Sequence, residues 1–140
     1  MELNLPVSIR LGRKSYQLNL NFYRNAHYQI LNKMKVVFSE QIQDQLDHLP
    51  QYESITLTYT LYPKTHRLCD VSNVCTIVDK FFCDALVRAD KLEDDNYTFL
   101  KEIHYKFGEV DKDNPRVMVN ITGKIKNANY THSDWTRKGC

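Results

Sequence analysis

Residues 55–86 read ITLTYTLYPKTHRLCDVSNVCTIVDKFFCDAL, and this stretch decides the fold. Ile55, Leu57, Tyr59 and Leu61 are apolar, and Thr56, Thr58 and Thr60 alternate with them. A period of two marks a half-buried strand. Pro63 ends it, because proline brings no N–H to a sheet ladder. From about Asn73 the period changes. Val74, Ile77, Val78, Phe81, Phe82, Ala85 and Leu86 follow the i, i+3, i+4, i+7 spacing of an amphipathic helix.

The flanking segments extend this pattern. Val7, Ile9 and Leu11 alternate with Ser8 and Arg10, and Gly12-Arg13-Lys14 is a turn. Tyr16, Leu18, Leu20 and Phe22 then alternate again, which predicts a hairpin. Ala26, Ile30, Met34, Val37, Phe38, Ile42 and Leu46 predict a long helix over residues 26–47, with Asn25 as N-cap and Pro50 beyond its end. Strands are expected near 98–107 and 115–122, separated by a polar turn from Glu109 to Asn114. The order β-β-α-β-α-β-β implies one α+β domain over residues 1–126, with two main helices on a mixed sheet. Residues 127–140 form a polar C-terminal tail with a lone Trp135.

The chain has 140 residues and a formal net charge of +2, the length of one domain and the charge of neither a DNA-coating protein nor an acidic tail. No apolar run approaches the roughly 18 residues of a membrane span. The start, Met1-Glu2-Leu3-Asn4, shows no secretory signal, so the expected compartment is the cytoplasm and the sequons at Asn120 and Asn129 are accidental. Cys69, Cys75, Cys83 and Cys140 form no C-x-x-C pair, and no two of the five histidines stand at i, i+3 or i, i+4. A zinc site is therefore not expected, nor is a small-molecule cofactor. Split along the chain, residues 1–69 carry net +3, residues 70–113 net −5 and residues 114–140 net +4.

The acidic centre holds the informative residues. Asn73, Lys80 and Asp84 fall within about 20° of one helical line beside the apolar stripe. Asp79 lies about 120° away and is expected in solvent. Asp70 enters the helix, and Asp94-Asp95 lie in the loop that leaves it. Carboxylates gathered by a returning chain repel one another unless a cation neutralises them. With an adjacent Lys they suit Mg²⁺ and phosphate-ester chemistry. The plain alternative is a solvated acidic face. Ser72 also reads as a helix N-cap.

These residues resemble the RusA-type Holliday junction resolvases of bacteria and phages. That family carries D-x-D-N, then K-x-x-x-D-A-L on a helix, then a D-D pair. Here the matches are Asp70-Val71-Ser72-Asn73, Lys80 through Asp84-Ala85-Leu86, and Asp94-Asp95. Asn21-Phe22-Tyr23-Arg24-Asn25 resembles the family's Asn/Tyr/Arg-rich N-terminal loop, and the likeness spans residues 3–122. Ser72 stands where the family has its second Asp, and about four extra residues separate Asn73 from Lys80.

The resemblance implies a homodimeric, metal-dependent endodeoxyribonuclease acting on four-way or otherwise branched DNA in recombination and repair, in a bacterial or phage-infected cell. Its implied catalytic residues are Asp70, Lys80, Asp84, Asp94 and Asp95. Mg²⁺, or Mn²⁺ in its place, would be held by Asp70 and Asp95 with Asp94 and Asp84 in support. Arg24, Lys64, Arg67, Asn73, Arg13 and Lys14 are candidate DNA contacts. His66 and the aromatic side chains of Tyr23, Tyr28 and Trp135 are lesser candidates. Two other readings stay open: a RusA-like module that holds branched DNA without cutting, and a small phage protein that binds a host component.

Overall fold

In the computed structural model, which describes residues 1–67 and 70–126, the alternating stretch becomes the central strand of a four-stranded sheet. The elements are β1 (Glu2–Leu5), β2 (Ser8–Leu11), β3 (Lys14–Gln17), α1 (Leu20–Asn25), α2 (Tyr28–Gln41), α3 (Gln43–Asp47), β4 (Tyr52–Tyr62), α4 (Val71–Arg88), β5 (Leu100–Phe107) and β6 (Arg116–Ile125). The strand order is β1-β6-β4-β5, and β2 and β3 form a separate hairpin. β4 and β5 are parallel, while β6 runs antiparallel to β4 and to β1. Parallel neighbours need a crossover, and α4 supplies it. The fold is the α+β class with a mixed sheet. The predicted tail, Trp135, Cys69 and Cys140 lie outside the described residues.

The periodicities explain the packing. Ile55, Leu57, Tyr59 and Leu61 are all buried, as are Val117, Val119 and Ile121 of β6. α4 buries Ile77, Val78, Phe81, Phe82, Ala85 and Leu86 on that face, with the thiols of Cys75 and Cys83 also buried. Phe82 meets Tyr59 edge-on, with ring centroids 6.4 Å apart, and Phe81 meets Phe38 of α2 in the same way at 5.6 Å. The helix ends where Asp90 takes a left-handed conformation, φ 60°. Gln51 Nε2 donates to both the Asp90 carbonyl and its carboxylate, which ties that end of α4 to the start of β4.

Four local expectations are corrected. The second strand of the hairpin stops at Gln17, and Leu20 and Phe22 belong to α1. Asn19 is responsible: its side-chain oxygen accepts from Phe22 N at 2.8 Å, a cap that outcompetes the ladder. The long helix of residues 26–47 is interrupted. Its cap is His27, whose Nδ1 accepts from Gln29 N, and Ile42 at φ −105°, ψ 7° separates α2 from α3. Asn25 is instead the last residue of α1. β1 was not expected. It is held by β6 and by Gln45, which exchanges two hydrogen bonds with the Asn4 backbone. Finally, α4 starts at Val71 with Asp70 as N-cap, so Ser72 is not the cap.

Gly123 faces Ile55 across the β4–β6 pair, beside a register shift between Tyr52 and Ser54. Its φ is 157°, and a Cβ there would run into the Ser54 carbonyl oxygen. Gly123→Ala should therefore destabilise the fold by on the order of 3 kcal/mol, seen as a fall in Tm of roughly 10 °C. Gly12, at φ 63° in the hairpin turn, would direct a Cβ into open space. Gly12→Ala should cost only about 1 kcal/mol, so equal melting shifts for the two variants would contradict this account.

Candidate nucleic-acid interface

The first turns of α1 and α4 meet the chain leaving β4 and form an open cleft of about 740 Å³. Its walls carry Gln17, Asn19, Asn21 and Arg24 on one side of the sequence, and Thr65, Arg67, Asp70, Ser72 and Asn73 on the other. Arg24 is in the last turn of α1, where a cation suits the helix dipole. Arg67 sits in the loop after Pro63, with its backbone N–H donating to Thr65 Oγ1. Asp70 caps α4 by position only, since its carboxylate makes no capping bond. Asn73 Oδ1 accepts from Leu20 N at 3.2 Å, which joins α4 to α1.

The remaining expected residues are placed elsewhere. Lys80 is exposed, with its ammonium 5.9 Å from the centre of the Tyr23 ring. Asp84 forms an ion pair with Arg88 at 3.1 Å. Asp94 organises its own loop, accepting from Asp95 N and from Asn96 Nδ2. Asp95 stands near enough to Asp79 and Cys83 for its charge to act on both. Arg13 and Lys14 are at the exposed tip of the β2–β3 hairpin, away from the cleft residues. Lys64 borders an adjoining groove of about 320 Å³ with Val7, Leu18 and Leu61. His66 is grouped with Phe107 and Val110. Tyr28 is exposed and stacks on His27 at 4.7 Å.

Asp79 is the residue that sequence reasoning misplaced. It is half-buried between α4 and β4, not solvated. The Tyr59 hydroxyl donates to its Oδ1 at 2.6 Å, and the Cys83 thiol donates to the same oxygen at 3.3 Å. Burial pushes the Asp79 carboxyl above the usual aspartate range. The two hydrogen bonds and the Lys80 charge oppose that shift, and Asp95 adds to it. Burial likewise raises Tyr59, Cys83 and Tyr105, and a hydrogen bond with Thr76 opposes the rise at Tyr105. One signal was available. Tyr59 occupies a core position of the strand, and a buried phenol needs an acceptor.

Among the described residues, no three His, Cys, Asp or Glu side chains group closely enough to hold a metal ion. The carboxylates expected to share Mg²⁺ are spread along α4 and its following loop: Asp70 in the cleft, Asp84 on Arg88, Asp95 beside Asp79. Mg²⁺ keeps several waters, however, and is usually held by one or two carboxylates plus substrate phosphate oxygens. An exposed Asp70 in a cleft shared with two arginines suits that arrangement.

The Asp79 environment gives a signed pH dependence. Its folded pKa lies above the unfolded value, so its contribution to stability is complete below the ordinary aspartate range. That contribution is lost as pH rises through the raised folded value. Asp79→Asn removes the titration and keeps an oxygen for Tyr59. Wild type should lose stability relative to Asp79→Asn as pH goes from about 3 to about 7, read from urea midpoints. Parallel curves would contradict the assignment. No family model matches the chain, and no curated protein matches it.

Proposed function

We propose that the chain acts on branched DNA as a RusA-type endodeoxyribonuclease, seating the phosphate backbone of a four-way junction in the α1–α4 cleft. The observation that supports this is the convergence of two distant segments. Leu20 and Asn73 are 53 residues apart and hydrogen-bonded, and around that bond Arg24, Arg67 and Asp70 line one cleft. These are the segments that carry the family resemblance. Guanidinium groups bind phosphate through a planar fork of donors, so Arg24 and Arg67 are suited to grip and orient a strand. Asp70 is the carboxylate that would share Mg²⁺, or Mn²⁺, with a DNA phosphate. When bound, that ion would polarise the phosphoryl oxygen and acidify a water.

A second reading, grip without cutting, is favoured by the dispersal of the carboxylates and by Ser72 in place of the family's second Asp. The proposed partner besides DNA is a second copy of the chain. β5 is an edge strand, and among the described residues nothing pairs with its outer side. Ile103 and Phe107 are exposed on it at 39% and 57%. The proposed setting is recombination and repair in the cytoplasm of a bacterial or phage-infected cell.

The test is a synthetic four-way junction with Mg²⁺ or Mn²⁺, alongside linear duplex at the same salt. Arg24→Ala and Arg67→Ala should each weaken binding and lower the slope of log affinity against log salt by about one. Asp70→Asn should abolish nicking and retain binding. Binding without nicks in wild type selects the second reading, and no preference for the junction over duplex overturns both. In light scattering, Ile103→Lys should shift a dimer to monomer, and an unchanged mass would remove β5 from the interface.

A further inference from the structure

We infer that Asn73 and Lys80 are positioning residues: two pins on α4 that fix the short helix α1 and so hold Arg24 in the cleft. α1 has six residues, none fully buried, although Leu20, Phe22 and Tyr23 are partly buried against the core. A helix this short does not persist on its own propensity, because nucleation is unfavourable and one turn adds few bonds. Its first N–H groups also have no partner within the helix. One is met from inside the segment, Phe22 N by the Asn19 side chain. Another, Leu20 N, is met from outside, by Asn73 Oδ1 of α4.

The far end is held from the same helix. Tyr23 precedes Arg24, and the Lys80 ammonium lies over its ring at 5.9 Å. That is within the range of a cation–π contact. Asn73 and Lys80 are seven residues apart, about two turns and about 10 Å of rise on nearly one line of α4. Two of the three residues on that line therefore engage α1, and the third, Asp84, pairs with Arg88 instead. Leu20, Phe22 and Tyr23 rest on the core, Phe22 with its ring 5.2 Å from that of Tyr16, and the two pins set the helix on this apolar seat. Arg24 is exposed and lines the cleft, so the helix beneath it sets its place. The resemblance would make Lys80 a catalytic residue. The geometry gives its charge to Tyr23, and its effect on DNA then passes through Arg24. Only this last step rests on the proposed DNA-binding reading.

The first test needs no DNA. Hydrogen exchange at residues 20–25 should speed up about threefold to tenfold in Asn73→Ala, the size of one lost hydrogen bond, while β4 and β6 amides stay unchanged. Asn73→Asp keeps an acceptor and should restore protection at Leu20. Lys80→Met should loosen the same segment and Lys80→Arg should not, since arginine also stacks on aromatic faces. Unchanged exchange at residues 20–25 overturns the pins, as does loosening spread evenly over the sheet. The second test is a double-mutant cycle on junction affinity. Asn73→Ala and Lys80→Met should each weaken binding in wild type, add no further loss in Arg24→Ala, and add fully in Arg67→Ala. Full additivity with Arg24→Ala overturns the proposed route through that residue. A wild type that binds no junction sinks the functional reading alone, and the exchange data still judge the pins.

Discussion

Tyr59 sits on the central strand with none of its surface exposed, yet its hydroxyl still requires a partner. An unpaired hydroxyl in that position would cost a few kcal/mol. Asp79 supplies the acceptor, and it can do so only if α4 lies at one height on β4 and at one rotation about its own axis. The edge-on contact of Phe82 with the Tyr59 ring sets the same two quantities from the apolar side. Asn73 and Lys80 lie about 120° and about 100° around the helix from Asp79. Fixing Asp79 against the sheet therefore turns their line away from the sheet, towards α1. The hydrogen bond under the helix and the cleft beside it are consequences of one rotation.

That arrangement places a carboxylate where its charge is poorly solvated. Two donors share one oxygen of Asp79, and Asp95 stands close enough to make ionisation harder. Replacing the whole set of partners with apolar groups of similar volume is often neutral or stabilising, whereas removing Asp79 alone would orphan the Tyr59 hydroxyl. The physical return of Asp79 is directional. Leu and Phe side chains alone would let α4 slide or roll by a fraction of a turn, whereas a 2.6 Å bond to a fixed hydroxyl does not. The cleft depends on this because Arg24 lines it from α1 and Asp70 from the N-cap of α4.

The central part of the fold was legible because its signal is periodic and local. β4 and α4 differ in period, and a proline stands just beyond the strand, so each was found close to its observed place. The first half was less legible because single side chains decide it. Asn19 and His27 cap helices through one hydrogen bond each, and neither changes the apolar spacing that suggested a strand and one long helix. β1 has four residues, two of them buried, and it becomes a strand only when β6 and Gln45 arrive from far along the chain. At the site, Arg24, Arg67, Asp70 and Asn73 were all named and do come together. Asp79 was misplaced because a helical wheel ranks a residue against its own stripe and carries no information about the polar tip of the strand opposite.

The charge distribution also reads differently once the side chains have partners. The segment from 70 to 113 carries net −5, which by itself would repel DNA. Arg116, from outside the segment, cancels one unit of it in an ion pair. Within the segment Asp84 is held by Arg88, a cation the net −5 already counts, and Asp94 is turned into its own loop by neutral N–H donors. The Asp84–Arg88 pair is partly exposed and adds little stability, while the Arg116–Asp111 pair is part-buried. They do lower the field that a polyanion meets at close range, where screening leaves only charges within about 8–10 Å effective. Of the acidic residues in that segment, only Asp70 lines the cleft, and it faces Arg24 and Arg67 there. A near-neutral chain can thus present a locally basic groove, and its one carboxylate stands where a cation bridging to phosphate would turn repulsion into a contact.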